Sequence, residues 1–367
     1  MFGGGEIWML RTLASLKERG HHIGLACRRE TELFRRAGEL EIPVYPVPVR
    51  GDLWPPSIFN ARKIIKKGNY HVILTNMDKE LRFCGLASRL SGNSIVVSRR
   101  GIDYPLKNKI QYRLSYNWLA DSILANSQAT KRALLKNAPW LDANRVTVIY
   151  NGIDPKPYLS PLKEDWKDKL GIPKTATLFG FVGQLDERKG VYALLEAFSL
   201  LRKSVDDDAH LLFVGQGPLR DFIRDWRDEH QAAGKIHLAG FQTDISDIMK
   251  SIDALVLPSL WEGFGLVLIE AMAAAKPCVT TDVSSMPEIV VDGITGRIVP
   301  VNDSQKLADA LQEIYENPLL TREWGQSGRE RVLGHFTMDK MIGQLERFFE
   351  ERWHRYKSRG GQPGAGY

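Results

Sequence analysis

Short β-branched runs alternate with longer amphipathic stretches along almost the whole of this 367-residue chain, and that rhythm excludes most folds. His22–Ala26, His71–Thr75, Ser94–Ser98, Ser122–Ala125 and Arg145–Ile149 read as strands in the first half. Thr177–Val182, His210–Val214, Lys235–Leu238, Ala254–Leu257, Pro277–Thr281 and Gly296–Val299 do so in the second. Between them lie helical patterns such as Glu6–Arg19, Gln128–Lys136, Val191–Ser204 and Leu219–Asp228. This alternation predicts an α/β fold with doubly wound parallel sheets covered on both faces. The length favours two domains. Two strand–helix series meet at Asn151–Pro173, where Pro155, Pro157, Pro161 and Pro173 and the charged piece Lys163–Leu170 read as an interdomain connection. The expected organisation is one domain over 1–155, a second over 156–337, a closing helix over 338–356 and a disordered Gly/Pro-rich tail over 357–367.

A doubly wound domain normally opens with a strand that delivers the first glycine loop. Here that loop is residues 3–5, with almost nothing before it. Either the start is truncated relative to the natural chain, or the first domain lacks a strand inside its sheet. Both readings stay open.

The net charge of +6 is unevenly placed: residues 1–160 hold 25 Lys+Arg against 13 Asp+Glu, and the remainder 25 against 31. A basic first half suggests an anionic partner such as a membrane surface, an acidic lipid or a phosphorylated glycan; a merely solvated surface is the alternative. Within it, Arg62-Lys63-Ile64-Ile65-Lys66-Lys67 reads either as a helix with a basic face for anionic headgroups or as one whose isoleucines face the core. No nucleic acid is expected, since zinc-finger spacing and aromatic RNA-binding signatures are missing. No apolar run approaches the roughly 20 residues of a spanning helix, and the start does not resemble a signal peptide. Cys27, Cys84 and Cys278, scattered and in apolar settings, read as buried thiols of a protein in the reducing cytoplasm. His21-His22 reads as a turn before a strand, and no compact metal-ligand cluster is expected.

The segment Pro258-Ser259-Leu260-Trp261-Glu262-Gly263-Phe264-Gly265-Leu266-Val267-Leu268-Ile269-Glu270 carries the most chemistry. A strand runs into a loop with two glycines and then a helix. Backbone N–H groups freed by glycine, together with a helix N-terminus, make a main-chain cradle for a diphosphate. Carboxylates so close to phosphates need hydroxyl partners, which points Glu262 and Glu270 at sugar and ribose. A second strand end gives Gly183-Gln184-Leu185-Asp186-Glu187-Arg188-Lys189-Gly190, whose Arg188 and Lys189 suit phosphate oxygens. They would neutralise the charge gained by a departing diphosphate. A third junction, Gly215-Gln216-Gly217-Pro218-Leu219-Arg220, fails as a nicotinamide fingerprint because Arg220 stands at the last glycine position; Gly215 can still approach a nucleotide.

Gly3-Gly4-Gly5-Glu6 with Arg19-Gly20-His21, Val148-Ile149-Tyr150-Asn151-Gly152-Ile153-Asp154, the Arg188-Lys189-Gly190 turn, Glu262 through Glu270, and Met286-Pro287-Glu288-Ile289-Val290 occur in this order along the chain. Together they resemble the family 4 retaining glycosyltransferases of the GT-B fold, over nearly the whole chain. The resemblance implies two Rossmann-like domains facing across a cleft, an acceptor-binding one first and a nucleotide-sugar-binding one second. The closing helix would cross back onto the first domain. It also implies transfer from a UDP-, GDP- or ADP-sugar, without a metal, to a glycan or glycolipid in cell-surface polysaccharide or lipopolysaccharide synthesis. The enzyme would work in the cytoplasm or at the inner face of the cytoplasmic membrane. Glu262 would contact the donor sugar, Glu270 the ribose, and Arg188 and Lys189 the diphosphate. Gly263, Phe264, Gly265, Leu266 and Val267 would offer backbone contacts, Gly183 and Gly215 would border the nucleotide, and Gly4 and Gly5 would line the acceptor side. One departure is Arg99-Arg100-Gly101, where many members carry a cleft histidine. A sugar-nucleotide epimerase of the same fold, or a non-catalytic scaffold, stays open as an alternative.

Overall fold

The computed structural model describes residues 3–47, 53–205 and 208–360. It divides into two compact units, residues 1–151 with 339–367, and residues 152–338.

The second unit is a six-stranded parallel sheet. Its strands are β7 (Thr177–Val182), β8 (Ala209–Val214), β9 (Ile236–Gly240), β10 (Ala254–Leu257), β11 (Cys278–Thr281) and β12 (Gly296–Val299), in the spatial order β12-β11-β10-β7-β8-β9. The first strand lies inside the sheet and the order reverses beside it, which is the doubly wound arrangement. β8, Ala-His-Leu-Leu-Phe-Val, is buried at every residue. Its lack of polar alternation follows from helices covering both faces.

The first unit contains β1 (Leu25–Cys27), β2 (Val44–Pro46), β3 (Val72–Thr75), β4 (Ile95–Arg100), β5 (Ser122–Ala125) and β6 (Val146–Val148). These form two separate parallel sheets, β1-β2 and β3-β4-β5-β6. No described strand precedes helix Gly4–Glu18. By the order seen in the second unit, a first strand would lie between β1 and β3. Parallel pairing turns the backbone groups of Leu25 and Cys27 towards β2, since Leu25 N donates to Pro43 O and Val47 N to Cys27 O. The groups of Ala26 therefore face the other way, and so, on the far side, do those of Val72 and Leu74. Across this gap the Tyr70 hydroxyl meets the carbonyl of Ile23 at 3.5 Å and the Tyr45 hydroxyl at 3.1 Å.

Helix Met338–Ser358 belongs almost entirely to the first unit. There Trp8 Nε1 meets Met341 Sδ at 3.2 Å, Arg19 pairs with Glu346 at 2.6 Å, and His71 stacks on Trp353 at 4.6 Å. This helix takes in Lys357 and Ser358, which were expected in the tail; residues 361–367 lie outside the described residues.

Three further expectations change. β2 escapes sequence reading because it is three residues long and ends on Pro46. Lys163–Leu170 is not a loose connection. Trp166 and Lys167 are buried in the second unit, and Lys167 Nζ pairs with Asp253 at 2.7 Å. The thiols are unpaired, but only Cys278 is fully buried, Cys27 and Cys84 being half-buried. His22 stacks on Tyr70 and His21 pairs with Glu346, so these rings serve packing.

Candidate active site

The site in the second unit is made by two loops at the carboxyl ends of adjacent strands. After β7, Asp186 caps a short turn, its side chain accepting from Lys189 N, and the turn Glu187–Lys189 ends on Gly190 with φ 72°. A Cβ at Gly190 would collide with the carbonyl of Pro258, so glycine lets this turn press against the loop after β10. Leu260 N donates to Arg188 O at 2.8 Å and joins the two loops.

The loop after β10 is held from its other side as well. Thr281 Oγ1 donates to Ser259 O at 2.6 Å, Glu262 N to Ser284 Oγ at 3.3 Å, and Ser285 Oγ to Phe264 O at 3.0 Å. Phe264 is buried and meets Phe336 edge-on, so its ring anchors the loop and only its backbone is available to a ligand. Gly265 caps helix Leu266–Ala273. Among the described residues no hydrogen bond is recorded from the N–H groups of Leu266 and Val267, the unsatisfied donors of a helix start. They supply the partial positive charge on which an anion rests.

The charged side chains gather here. Lys189 Nζ is ion-paired with Glu262 Oε2, and each side chain is 12% exposed. Glu262 Oε1 also accepts from Gly263 N at 3.0 Å. Arg188 lies over the Trp261 ring at 5.5 Å and reaches Asp186 at 3.4 Å, with 39% of its side chain exposed. Glu270 lies within the helix that follows and is buried. Thus Arg188, Lys189, Glu262, Gly263 and the helix start lie together at the ends of these two strands.

Gly183 and Gly215 join this end of the sheet for a different reason. Gly183 N donates to Val214 O at 3.0 Å, and a Cβ on Gly215, at φ 145°, would strike the Gly183 carbonyl. The glycine at 215 is required by the protein's own backbone. Asp186, Trp261, Ser284 and Ser285 were missed as supports. The strand–turn–helix signal marks Asp186 as a cap, whereas the two serines are visible only once β11 lies beside β10.

Gly4 and Gly5 belong to the first unit, where they form the exposed first turn of helix Gly4–Glu18 rather than a loop. Glu6 Oε2 accepts from Gly3 N at 3.1 Å. At the end of β4, Arg99 is buried, its guanidinium 3.7 Å from the Trp8 ring centre and 3.3 Å from Asn76 Oδ1. Burial pulls its pKa down to about 9. Arg100 instead pairs with Asp78 at 3.2 Å. Among the described residues, no group of three or more His, Cys, Asp or Glu could hold a metal ion.

A doubly wound unit with a basic turn, a lysine–carboxylate pair and a helix start at its strand ends fits a sugar-transferring enzyme of the GT-B class. Comparisons with known proteins agree. Residues 163–331 match the description "Glycosyl transferases group 1" and residues 2–156 match "Glycosyltransferase Family 4". Similarity extends at 25% identity over 303 residues to the UDP-Gal:alpha-D-GlcNAc-diphosphoundecaprenol alpha-1,3-galactosyltransferase of Escherichia coli, covering 79% of this chain and 78% of that protein. The fold is shared with a glycosyltransferase from Rickettsia africae at a TM-score of 0.86 and 22% identity, over 95% of both chains. It is also shared with Anabaena Alr3699/HepE, solved in complex with UDP, at 0.83 and 21%, over 95% of this chain and 96% of that one. The chain belongs to the group 1, family 4 glycosyltransferases.

Proposed function

We propose that this enzyme moves a glycosyl unit from a nucleotide-diphosphate sugar, a UDP-sugar, to a glycan or glycolipid acceptor with retention of anomeric configuration. The observation that carries this reading is the Lys189–Glu262 pair set beside the N–H groups of Leu266 and Val267 that open the helix after Gly265. A cation, a carboxylate and helix-start donors meet at one point, which suits a sugar linked to a diphosphate. In this reading Arg188 and Lys189 neutralise the diphosphate as the bond from the anomeric carbon to its oxygen breaks. Glu262 accepts hydrogen bonds from sugar hydroxyls, and Glu270 from the ribose. Gly263, Phe264, Gly265, Leu266 and Val267 contribute main chain, with no metal required. The second unit binds the donor. The first, with Gly4 and Gly5, binds the acceptor.

The complex with UDP of the Anabaena protein and the UDP-Gal donor named for the Escherichia coli relative support a uridine nucleotide. The lipid-linked acceptor in that relative's name supports a role in cell-surface glycan synthesis at the inner face of the cytoplasmic membrane. A thermal-shift screen of UDP-, GDP- and ADP-sugars tests the donor. A ligand at about 100 times its Kd stabilises by about 2.7 kcal/mol, so the right nucleotide raises Tm by several degrees. No shift with any nucleotide sugar would defeat the proposal.

A further inference from the structure

The first unit carries an apolar surface that its own core does not cover. Helix Ile110–Leu114 runs directly into the π-helical turn Ser115–Leu119. Ile110, Leu114 and Trp118 recur every fourth residue and are 68%, 59% and 56% exposed. Side chains four apart lie one above another on a helix, so these three form a stripe. Ile102 and Tyr104, in the loop ahead of the helix, are exposed as well. The segment also has an ordinary core face: Ser115, Tyr116 and Leu119 are buried, with Tyr116 and Leu119 packed against Leu81 and Ile123. It is therefore apolar on two faces, and only one is used.

Charge identifies what the second face meets. Lys107, Lys109 and Arg113 are all exposed around the stripe, and Asp103 is the only acidic residue from 102 to 118. Scattered exposed apolar residues are normal, but an aligned stripe edged by cations and ending in tryptophan has the composition of an interfacial helix. Tryptophan suits the headgroup level, where one end of the ring is wet and the other apolar. The helix Pro55–Gly68, by contrast, turns Ile65 into the core and packs Ile64 partly against it, so Lys63, Lys66 and Lys67 are exposed without an apolar stripe.

We propose that the face formed by Ile110, Leu114 and Trp118 docks on an anionic bilayer, the three side chains entering the headgroup–acyl boundary while Lys107, Lys109 and Arg113 meet lipid phosphates. The loop before this helix leaves the carboxyl end of β4, the end of a doubly wound sheet at which ligands bind. Docking there presents the acceptor-binding unit to a lipid-borne acceptor; this purpose rests on the proposed function, whereas the docking itself does not.

The test is flotation of the full chain with phosphatidylcholine vesicles, with and without phosphatidylglycerol, at low and high salt. Wild type should float with the anionic vesicles at low salt and much less with neutral ones or at high salt. Ile110→Glu/Leu114→Glu/Trp118→Glu and the milder triple alanine variant should each lose roughly tenfold or more of that binding. Both should keep the wild-type Tm and transfer to a water-soluble acceptor. Lys63→Glu/Lys66→Glu/Lys67→Glu should retain most of the binding. Wild-type binding to neither vesicle type, or undiminished binding by the glutamate variant, would overturn the proposal. So would a dimer in sedimentation that this variant disperses, since the stripe would then belong to a second copy. Vesicle binding that persists where no donor supports transfer leaves the docking standing and removes the proposed reaction.

Discussion

Lys189 and Glu262, from two loops of the second unit and 73 residues apart, are ion-paired with both side chains largely buried. Sequence reasoning assigns them to different parts of one ligand, the diphosphate and the sugar. The pair keeps two largely buried charges compensated. On the proposed function, a diphosphate arriving beside Lys189 would compete with Glu262 for the ammonium, and sugar hydroxyls would satisfy the released carboxylate, which would couple donor binding to the orientation of Glu262.

The first prediction follows from that coupling. Glu262→Ala should lower kcat/KM by about a hundredfold or more, the scale of losing one preorganised polar contact at a reacting centre. Its Tm should fall by only a few degrees, because the loop remains held by Phe264, Ser284 and Ser285. Steady-state transfer and a thermal melt check it. Turnover near wild type in a folded variant would remove Glu262 from the chemistry.

Arg188 and Lys189 should behave differently from a simple anion trap. The Arg188→Ala/Lys189→Ala variant should lose more in kcat than in donor affinity, since their charge matters most as the diphosphate departs. Calorimetric binding of the nucleotide sugar, set beside kcat, separates the two. Equal losses would mean ground-state attraction alone.

Glu270 is buried in the helix Leu266–Ala273, a placement suited to fixed, charge-assisted hydrogen bonds. Glu270→Gln keeps the shape and removes the charge, and should weaken nucleotide binding by about 1.5–3 kcal/mol. Titration with the nucleoside diphosphate is the measurement. Unchanged affinity would rule out a ribose contact.

Much of this was legible in the sequence because the second unit obeys its local signals. β7, β10 and the helix Val191–Ser204 stand where the periodicity put them, and Arg188, Lys189 and Glu262 meet because their loops end neighbouring parallel strands. The rest depends on tertiary neighbours. Gly215 also yields space to the Gly183 carbonyl, a contact between the ends of β7 and β8 that one strand's sequence does not reveal. Trp166 looks isolated in a charged linker, yet its burial fixes that linker to the second unit. Sequence analysis gives Ile110, Leu114 and Trp118 no role, because only the packing of Tyr116 and Leu119 on the core side shows that these three face outward.

The last prediction concerns the gap in the first unit. Ala26 is exposed and Val72 and Leu74 are half-buried, although the strand order places β1 and β3 at the middle of a doubly wound sheet. In the pairing registers of β1 with β2 and of β3 with β4, their N–H groups turn away from those partner strands. Hydrogen exchange should therefore be fast at Ala26, Val72 and Leu74 and slow at Leu255 and Val256 of the fully buried β10. Leu25, bonded to Pro43, should fall between them, because its sheet has only two strands. Slow exchange at these three amides would show that the gap is already closed by pairing.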